Sequence, residues 1–335
     1  MKNEETWDLS FKTIKSALIL FSVFLAFGLW TGLTRDIRYL YTFLYLGGGI
    51  AIGGFLGDAL PRQHRTWGRR VTQIFVASFL LGFMGFAYKE NMQIEGFFFY
   101  LLMGVFAGAT MHYFLAKVVG TVVLNRGWCG WACWTAMVLD LLPWRKPKNG
   151  RLRGWGALRY VHFALSLGLV LFIWFGLGWR DLFGKTMAEL YWMLAGNALY
   201  YVAGIGLAAA LKDNRAFCKY LCPIPVLQKI GARFAIWRMK IDPEKCNDCG
   251  ACERNCPMDI KLLEYKRAGQ RILSTECVFC QTCLNTCPKL AVVQSFGQFD
   301  VTWQEHLHYR GEGFTPKPAP ASDQIPESTP ESTGW

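Results

Sequence analysis

Two runs decide how this chain reads: CNDCGACERNCP at residues 246–257 and CVFCQTCLNTCP at residues 277–288. Each spaces four cysteines as C-x2-C-x2-C-x3-C and closes on a proline, Pro257 or Pro288. They lie in a polar, short-segmented stretch from Arg238 to about Val293, and they take eight of the 12 cysteines. Working outward, the sequence before residue 238 is of another kind. The chain has 335 residues, of which 53% are apolar and 18% charged. Ordinary soluble domains run about 45–50% apolar and about 25% charged. A plain soluble enzyme is therefore excluded, and so is disorder over most of the chain, because there is ample apolar surface to bury. The apolar residues gather in six stretches, about Ser16–Leu33, Tyr39–Leu60, Val71–Tyr88, Phe97–Leu124, Ala157–Trp179 and Met187–Leu211. Each approaches the roughly 20 residues that cross a hydrocarbon core.

The spacing of the two runs is that of bacterial ferredoxins. Two-residue gaps let a tight loop offer three thiolates to three iron corners of a cubane. The fourth cysteine, followed by proline, leaves that loop for the other cluster. The first [4Fe-4S] cluster is then expected on Cys246, Cys249, Cys252 and Cys287. The second is expected on Cys277, Cys280, Cys283 and Cys256. Zinc sites show C-x2-C pairs separated by longer stretches, unlike two tandem quartets.

Charge orients the spans. Lys2, Lys12 and Lys15, then Arg62, Arg65, Arg69 and Arg70, then Arg126, Arg145, Lys146, Lys148, Arg151 and Arg153 lie on one side, with everything after Lys212. The alternate loops hold only Arg35, Arg38, Lys89, Arg180 and Lys185. Positive residues favour the cytoplasm, so six spans with both termini inside account for the net charge of +12, and nucleic-acid binding is not expected. The first stretch has no small-residue cleavage site and reads as a retained span. The second is diluted by glycines, but Gly49, Gly53 and Gly57 form small-xxx-small pairs that suit a closely packed helix. All the cysteines fall on the inner side, where a reducing cytoplasm disfavours disulfides.

Four cysteines remain. Cys129 and Cys133 lie in NRGWCGWACW (residues 125–134), after the fourth span, and Cys218 and Cys222 in FCKYLCP (residues 217–223), after the sixth. Both pairs are C-x3-C, a spacing that sets two thiols on one helix face, and both land at the same membrane edge. Taken with the ferredoxin runs, this arrangement resembles the membrane polyferredoxins of the NapH type and the C-terminal half of the NosR type. Cys218, Cys222 and Pro223 match the family's C-x3-C-P in full; Trp134 stands where the first motif would have proline. The resemblance covers about residues 96–292. It implies electron transfer linked to quinone and to a respiratory or maturation partner. For the four thiols a third iron–sulfur or other metal centre, a redox dithiol or metal relay, and packing cysteines are all open.

Ionisable residues inside spans are functional candidates. His112, Lys117 and His162 are candidates for a quinone site. Lys117 can also snorkel to the interface. The two histidines differ in depth by roughly 12 Å at 1.5 Å per residue, which argues against a shared haem. Gly108–Thr110 is too short a match for flavin attachment, and Asn197 reads as interhelical glue. Residues 142–154 read as an exposed basic loop, and residues 223–238 as an amphipathic connector. His306 and His308 are a weak metal signal, and residues 311–335 read as a disordered tail. No nucleotide fingerprint, nucleophile triad or carboxylate dyad stands out.

The expected protein is mainly α-helical. It has a six-helix transmembrane domain (1–237), a small cytoplasmic α+β two-cluster ferredoxin domain (238–300) and a C-terminal extension (301–335). It is a multi-pass protein of the cytoplasmic membrane, with clusters and termini inside. Electrons would pass between a soluble cytoplasmic carrier or partner subunit and the quinone pool or a membrane redox partner, within a multi-subunit complex. The alternatives are a metal-reducing maturation factor for a respiratory enzyme and a non-catalytic relay anchor.

Overall fold

A computed structural model describes residues 7–106, 108–144, 150–297 and 299–312. The expectation for residues 313–335 lies outside it. Helix α1 (Phe11–Thr34) and helix α2 (Ile37–Ala59) form an antiparallel hairpin, with the Asp36 carboxylate accepting from Arg38 N at the turn. Helix α3 (Arg62–Ala87) packs along α2. The glycines of α2 make that contact close. A Cβ on Gly49 would stand 2.3 Å from the Phe75 side chain, and one on Gly68 would stand 2.2 Å from Gly57 N. Only backbone approach fits there, as small-residue helix pairs in lipid require.

The chain then departs from expectation. The stretch 97–124 is not one helix. After α3 the segment 89–93 runs without helix and turns inward, buried from Glu90. Helix α4 (Ile94–Leu102) follows and stops at Gly104, whose φ is +68°. Gly104 N donates to Leu101 O and Val105 N to Tyr100 O, the paired bonds of a glycine-terminated helix end. Helix α5 (Gly108–Leu124) starts afresh, with Glu90 Oε2 accepting Ala109 N at 3.0 Å. Among the described residues five helices are thus long and apolar enough to cross a membrane, and α5 is a shorter apolar one.

Two short helices carry the first cysteine pair, α6 (Gly127–Trp131) and α7 (Trp134–Leu139). Helices α8 (Trp155–Gly176) and α9 (Met187–Leu211) complete the bundle. Large apolar side chains such as Leu18, Trp30, Leu165, Phe175 and Val202 face outward, the surface a bilayer covers. Helix α10 (Ala216–Tyr220) carries Cys218, and α11 (Ile224–Ala232) packs on α5 and α8.

The ferredoxin unit hangs on one two-stranded antiparallel sheet, β1 (Arg238–Ile241) with β2 (Val292–Ser295), in the register Arg238↔Ser295 and Ile241↔Val292. Between the strands lie α12 (Ala251–Arg254), α13 (Leu262–Arg267) and α14 (Thr282–Thr286). Met239, Ile241, Met258, Ile260, Leu263, Tyr265, Ile272 and Phe279 fill its core. Cys129, from the helical half, belongs to the same core. The unit is built into the end of the bundle rather than tethered to it: Arg62 Nη2 donates to Leu284 O and Cys287 O, and Ile236 N to Val122 O.

Candidate metal centres

The two ferredoxin runs interleave. Cys256 leaves its own loop and lines one small cavity, about 20 Å³, together with Cys277, Cys280 and Cys283. Cys287 lies beside the first run: it and Cys246 are both charge neighbours of Cys252. Ala291 N donates to Cys287 Sγ at 3.3 Å, a backbone N–H aimed at a ligand sulfur. Burial pushes the Cys277 thiol up to about 11 and the Cys252 thiol up to about 12. A bound metal's charge would favour the thiolate and oppose that shift. Among the described residues no three His, Cys, Asp or Glu side chains stand close enough to hold a single metal ion.

The other four thiols, which the sequence could only place on one membrane edge, come together. Cys129, Cys133, Cys218 and Cys222 line one enclosed cavity of about 40 Å³. By the 10–15 Å³ that one water needs, it has room for about three. Lys117, Arg126, Arg215, Gln93, Tyr113 and Trp128 share its wall. Several wall donors find no acceptor among the described residues: Arg126 Nε and Nη2, Gln93 Nε2, Tyr113 Oη and Trp128 Nε1. Four soft sulfur donors, three cations and donors lacking acceptors fit an anionic, sulfur-rich group such as an iron–sulfur cluster.

Arg215 clasps the two pairs. Its Nε and Nη2 donate to the Asp140 carboxylate at 2.8 and 2.7 Å, and its Nη1 donates to Cys129 O at 3.2 Å. Arg69 Nη1 completes the knot on Asp140 at 2.8 Å and also donates to Gly130 O. Sequence reading counted Arg69, Arg126 and Arg215 only as inner-side charges. Nothing local in the sequence distinguishes them from Arg62 or Arg65.

Lys117 does not snorkel. It is 3% exposed, with Nζ 3.7 Å from the Tyr113 ring centroid and 5.1 Å from that of Trp134. Its stretch, Tyr113–Val119, winds as a π-helix, a form frequent at functional sites. His112 packs edge-on against Trp128, centroids 4.6 Å apart. The His162 Nδ1 pairs with Leu221 O at 2.8 Å, and its ring meets Tyr200. Of these three candidates Lys117 lines the four-thiol cavity, and the two histidines pack against its wall residues Trp128 and Tyr200. His306 and His308 stay apart, one against Tyr265 and the other 3.3 Å from Glu253.

The loop expected at residues 142–154 is anchored at Arg151, which is 5% exposed and donates to Met258 O and Glu276. Glu276, just before Cys277, is the hub of the joint. Its Oε2 accepts from Arg126 at 2.9 Å and Arg151 at 3.0 Å, and its Oε1 from Arg159 at 2.8 Å and Lys229 at 2.6 Å. The first cysteine pair touches the second ferredoxin loop directly. Arg126 N donates to Cys277 O, Trp131 Nε1 donates to Phe279 O, and a Cβ on Gly130 would stand 2.2 Å from Val278 O.

The chain matches the family described as "4Fe-4S dicluster domain" over residues 238–288 and the one described as "4Fe-4S binding domain" over residues 96–151 and 198–241. The second takes in both C-x3-C pairs. An uncharacterised protein of Methanocaldococcus jannaschii is 30% identical over 214 residues, 62% of this chain and 79% of that relative. The methylamine utilization ferredoxin-type protein MauN of Methylobacillus flagellatus is 28% identical over 61% of this chain and 80% of its own length. The ferredoxin-type protein NapH of Haemophilus influenzae is 27% identical over 50% and 61%. No solved structure matches. By its cysteine motifs, its helical membrane-type half and these relatives, the chain belongs to the NapH-type family of membrane polyferredoxins.

Proposed function

We infer that the chain is a one-electron relay between a soluble cytoplasmic carrier or partner subunit and the quinone pool or a membrane redox partner. Iron–sulfur clusters, when bound, supply reversible one-electron chemistry. Two sit in the ferredoxin unit, on Cys246, Cys249, Cys252 and Cys287 and on Cys277, Cys280, Cys283 and Cys256. A third centre sits on Cys129, Cys133, Cys218 and Cys222. The observation that carries this reading is the contact of Gly130 with Val278 O. It sets the loop between Cys129 and Cys133 against the loop between Cys277 and Cys280.

In this reading the protein's own residues do three things. The apolar core around Met258 and Phe279 keeps water from the thiols. The Glu276 and Asp140 knots fix the separation of the cysteine loops. Lys117, Arg126 and Arg215 offset the negative charge that four thiolates bring into a low-dielectric site. Lys117 belongs to the wall of that centre, and His112 and His162 pack behind it on Trp128 and Tyr200, where an electron leaves toward the acceptor. The basic flanks favour a ferredoxin unit on the cytoplasmic face of the inner membrane, and the reading divides the chain as 1–237, 238–300 and 301–335.

Iron and acid-labile sulfide on the purified full chain test the reading. Three cubanes give about twelve irons per chain, and about eight, with both ferredoxin signals intact, would remove the third centre. Reduction of a quinone analogue by the chain supplied with reduced ferredoxin supports the relay. Inactivity of the chain alone, with stable co-purification of catalytic subunits, replaces it by the anchor reading.

A further inference from the structure

The geometry points to Gln93, carried on a re-entrant segment from the opposite half of the bundle, as the residue that tunes the reduction potential of the group held by the four thiols. This rests on the third-centre reading above. The two arginines of the cavity wall come from the ferredoxin end; Gln93 comes from the other side.

Four observations support it. Segment 89–93 enters the bundle as non-helical backbone, which is tolerated at membrane depth only where protein buries it or a cavity needs it. Its backbone N–H groups at Asn91 and Gln93 are tied down. Glu189, fully buried, accepts Asn91 N at 2.6 Å and also takes Tyr100 Oη, Gly184 N and Lys185 N. Asn91 Oδ1 accepts Gln93 N at 3.0 Å. The tip is therefore held rigidly. It lies beside Gly196, nine residues into α9 from Met187, or about 14 Å along the helix at 1.5 Å per residue.

Gln93 itself is 3% exposed and lines the four-thiol cavity. Its side chain does not cap its own helix, and its Nε2 has no acceptor among the described residues. A Cβ on Gly196 would stand 2.3 Å from Gln93 Oε1, so residue 196 leaves the amide its room. The nine-residue helix α4 begins at Ile94, also in the cavity wall.

When one electron enters the thiol-bound group, its charge becomes one unit more negative. No bond forms, no proton moves, and the Gln93 amide stays neutral. A hydrogen-bond donor beside the group stabilises the more negative state, so it raises the potential. Gln93 is a positioning residue with an electrostatic consequence.

The test is a mediated redox titration of the detergent-purified full chain with dithionite, read by electron paramagnetic resonance, with iron counted on each sample. Wild type, Gln93→Met, Gln93→Asn and Gly196→Ala are compared. Gln93→Met keeps length and bulk but loses the donor. It should weaken reduction of the four-thiol group about tenfold, a fall of 59 mV for one electron, with both ferredoxin signals unmoved. Gln93→Asn, whose amide is one carbon short, should fall part of the way, as should Gly196→Ala. Should Gln93→Met fail to assemble, the other two carry the test. An unchanged or raised potential in variants that keep their iron overturns the inference alone. About eight irons in wild type overturns the third-centre reading and the inference with it.

Discussion

Replacing Glu276 by glutamine should unlock the ferredoxin unit from the helical bundle. The side chain is 1% exposed, and four cations meet its two oxygens between 2.6 and 3.0 Å. Burial would push this carboxyl up, yet Arg151, Arg126, Arg159 and Lys229 hold it well below the usual carboxylate range. Glutamine keeps the shape, removes the charge and turns an N–H pair toward the guanidinium groups. Charge-assisted hydrogen bonds contribute about 1.5–3 kcal/mol each, but four on one carboxylate are not additive. Removing one partner of a buried ion pair costs about 3–5 kcal/mol, and that is the loss expected for Glu276→Gln. Denaturant titration in one detergent measures it, with visible cluster absorbance and tryptophan emission as separate readouts. Double-mutant cycles should rank the partners by burial. Arg126, 0% exposed, should couple strongly; Lys229, 20% exposed, should couple by about 1 kcal/mol or less. A glutamine variant that loses under about 1 kcal/mol, the range of a surface pair, and keeps its iron refutes the reasoning.

Cys222→Ser should lower the iron content while leaving both ferredoxin signals; retention of all iron would return these thiols to packing. Arg215→Lys keeps the charge but cannot fork onto Asp140. It should loosen the two pairs and lose the same iron, and unchanged iron content would show that the clasp is dispensable. Although Cys256 belongs to the first run, Cys256→Ser should perturb the second cluster's spectrum, and Cys287→Ser the first cluster's; the reverse pattern would show that the runs do not cross. Gly68→Val puts two methyls where Gly57 N and Gly53 O already lie within 2.4 Å of the Cβ position. It should cost at least the 1–3 kcal/mol typical of overpacking, seen as a lower unfolding midpoint.

What the sequence made legible was local. The ferredoxin runs and the C-x3-C pairs declare themselves because their ligands are spaced along a few residues. The glycines of α2 could be read as a packing face for the same reason. What it hid depends on partners far along the chain. The break before α4 is sustained by Glu189, 98 residues from Asn91, so the polar residues 90–95 looked like an outer loop running into a span. Arg151 sits in a Pro- and Lys-rich stretch and looked exposed, but its partner Glu276 lies 125 residues on. Lys117 looked able to reach the interface; the aromatic faces of Tyr113 and Trp134 keep it inside. Composition cannot separate a snorkelling lysine from one facing a cavity, because both need only an apolar helix around them.

The distribution of buried charge explains why a chain with so little regular structure near its cysteines can still hold them in place. The helices carrying Cys129, Cys218 and Cys283 are five residues long, below the length at which an isolated helix holds itself. Each cysteine loop is instead pinned by a buried ionic group from another part of the chain. Asp140 joins α3 to the two pairs through Arg69 and Arg215, and Glu276 joins the start of α6, α8 and α11 to the second ferredoxin loop. Lys219 binds Asp213 and Asp259 at 2.6 and 2.5 Å, tying α10 to the first ferredoxin loop. Such pairs are expensive to desolvate and contribute little net stability. What they add is geometry, since a buried carboxylate ringed by guanidinium groups has one arrangement that satisfies it. The proposed relay gains from that property, because the rate of electron transfer depends on the separation of the centres. Apolar packing of comparable area would allow the two halves to slide; these three knots do not.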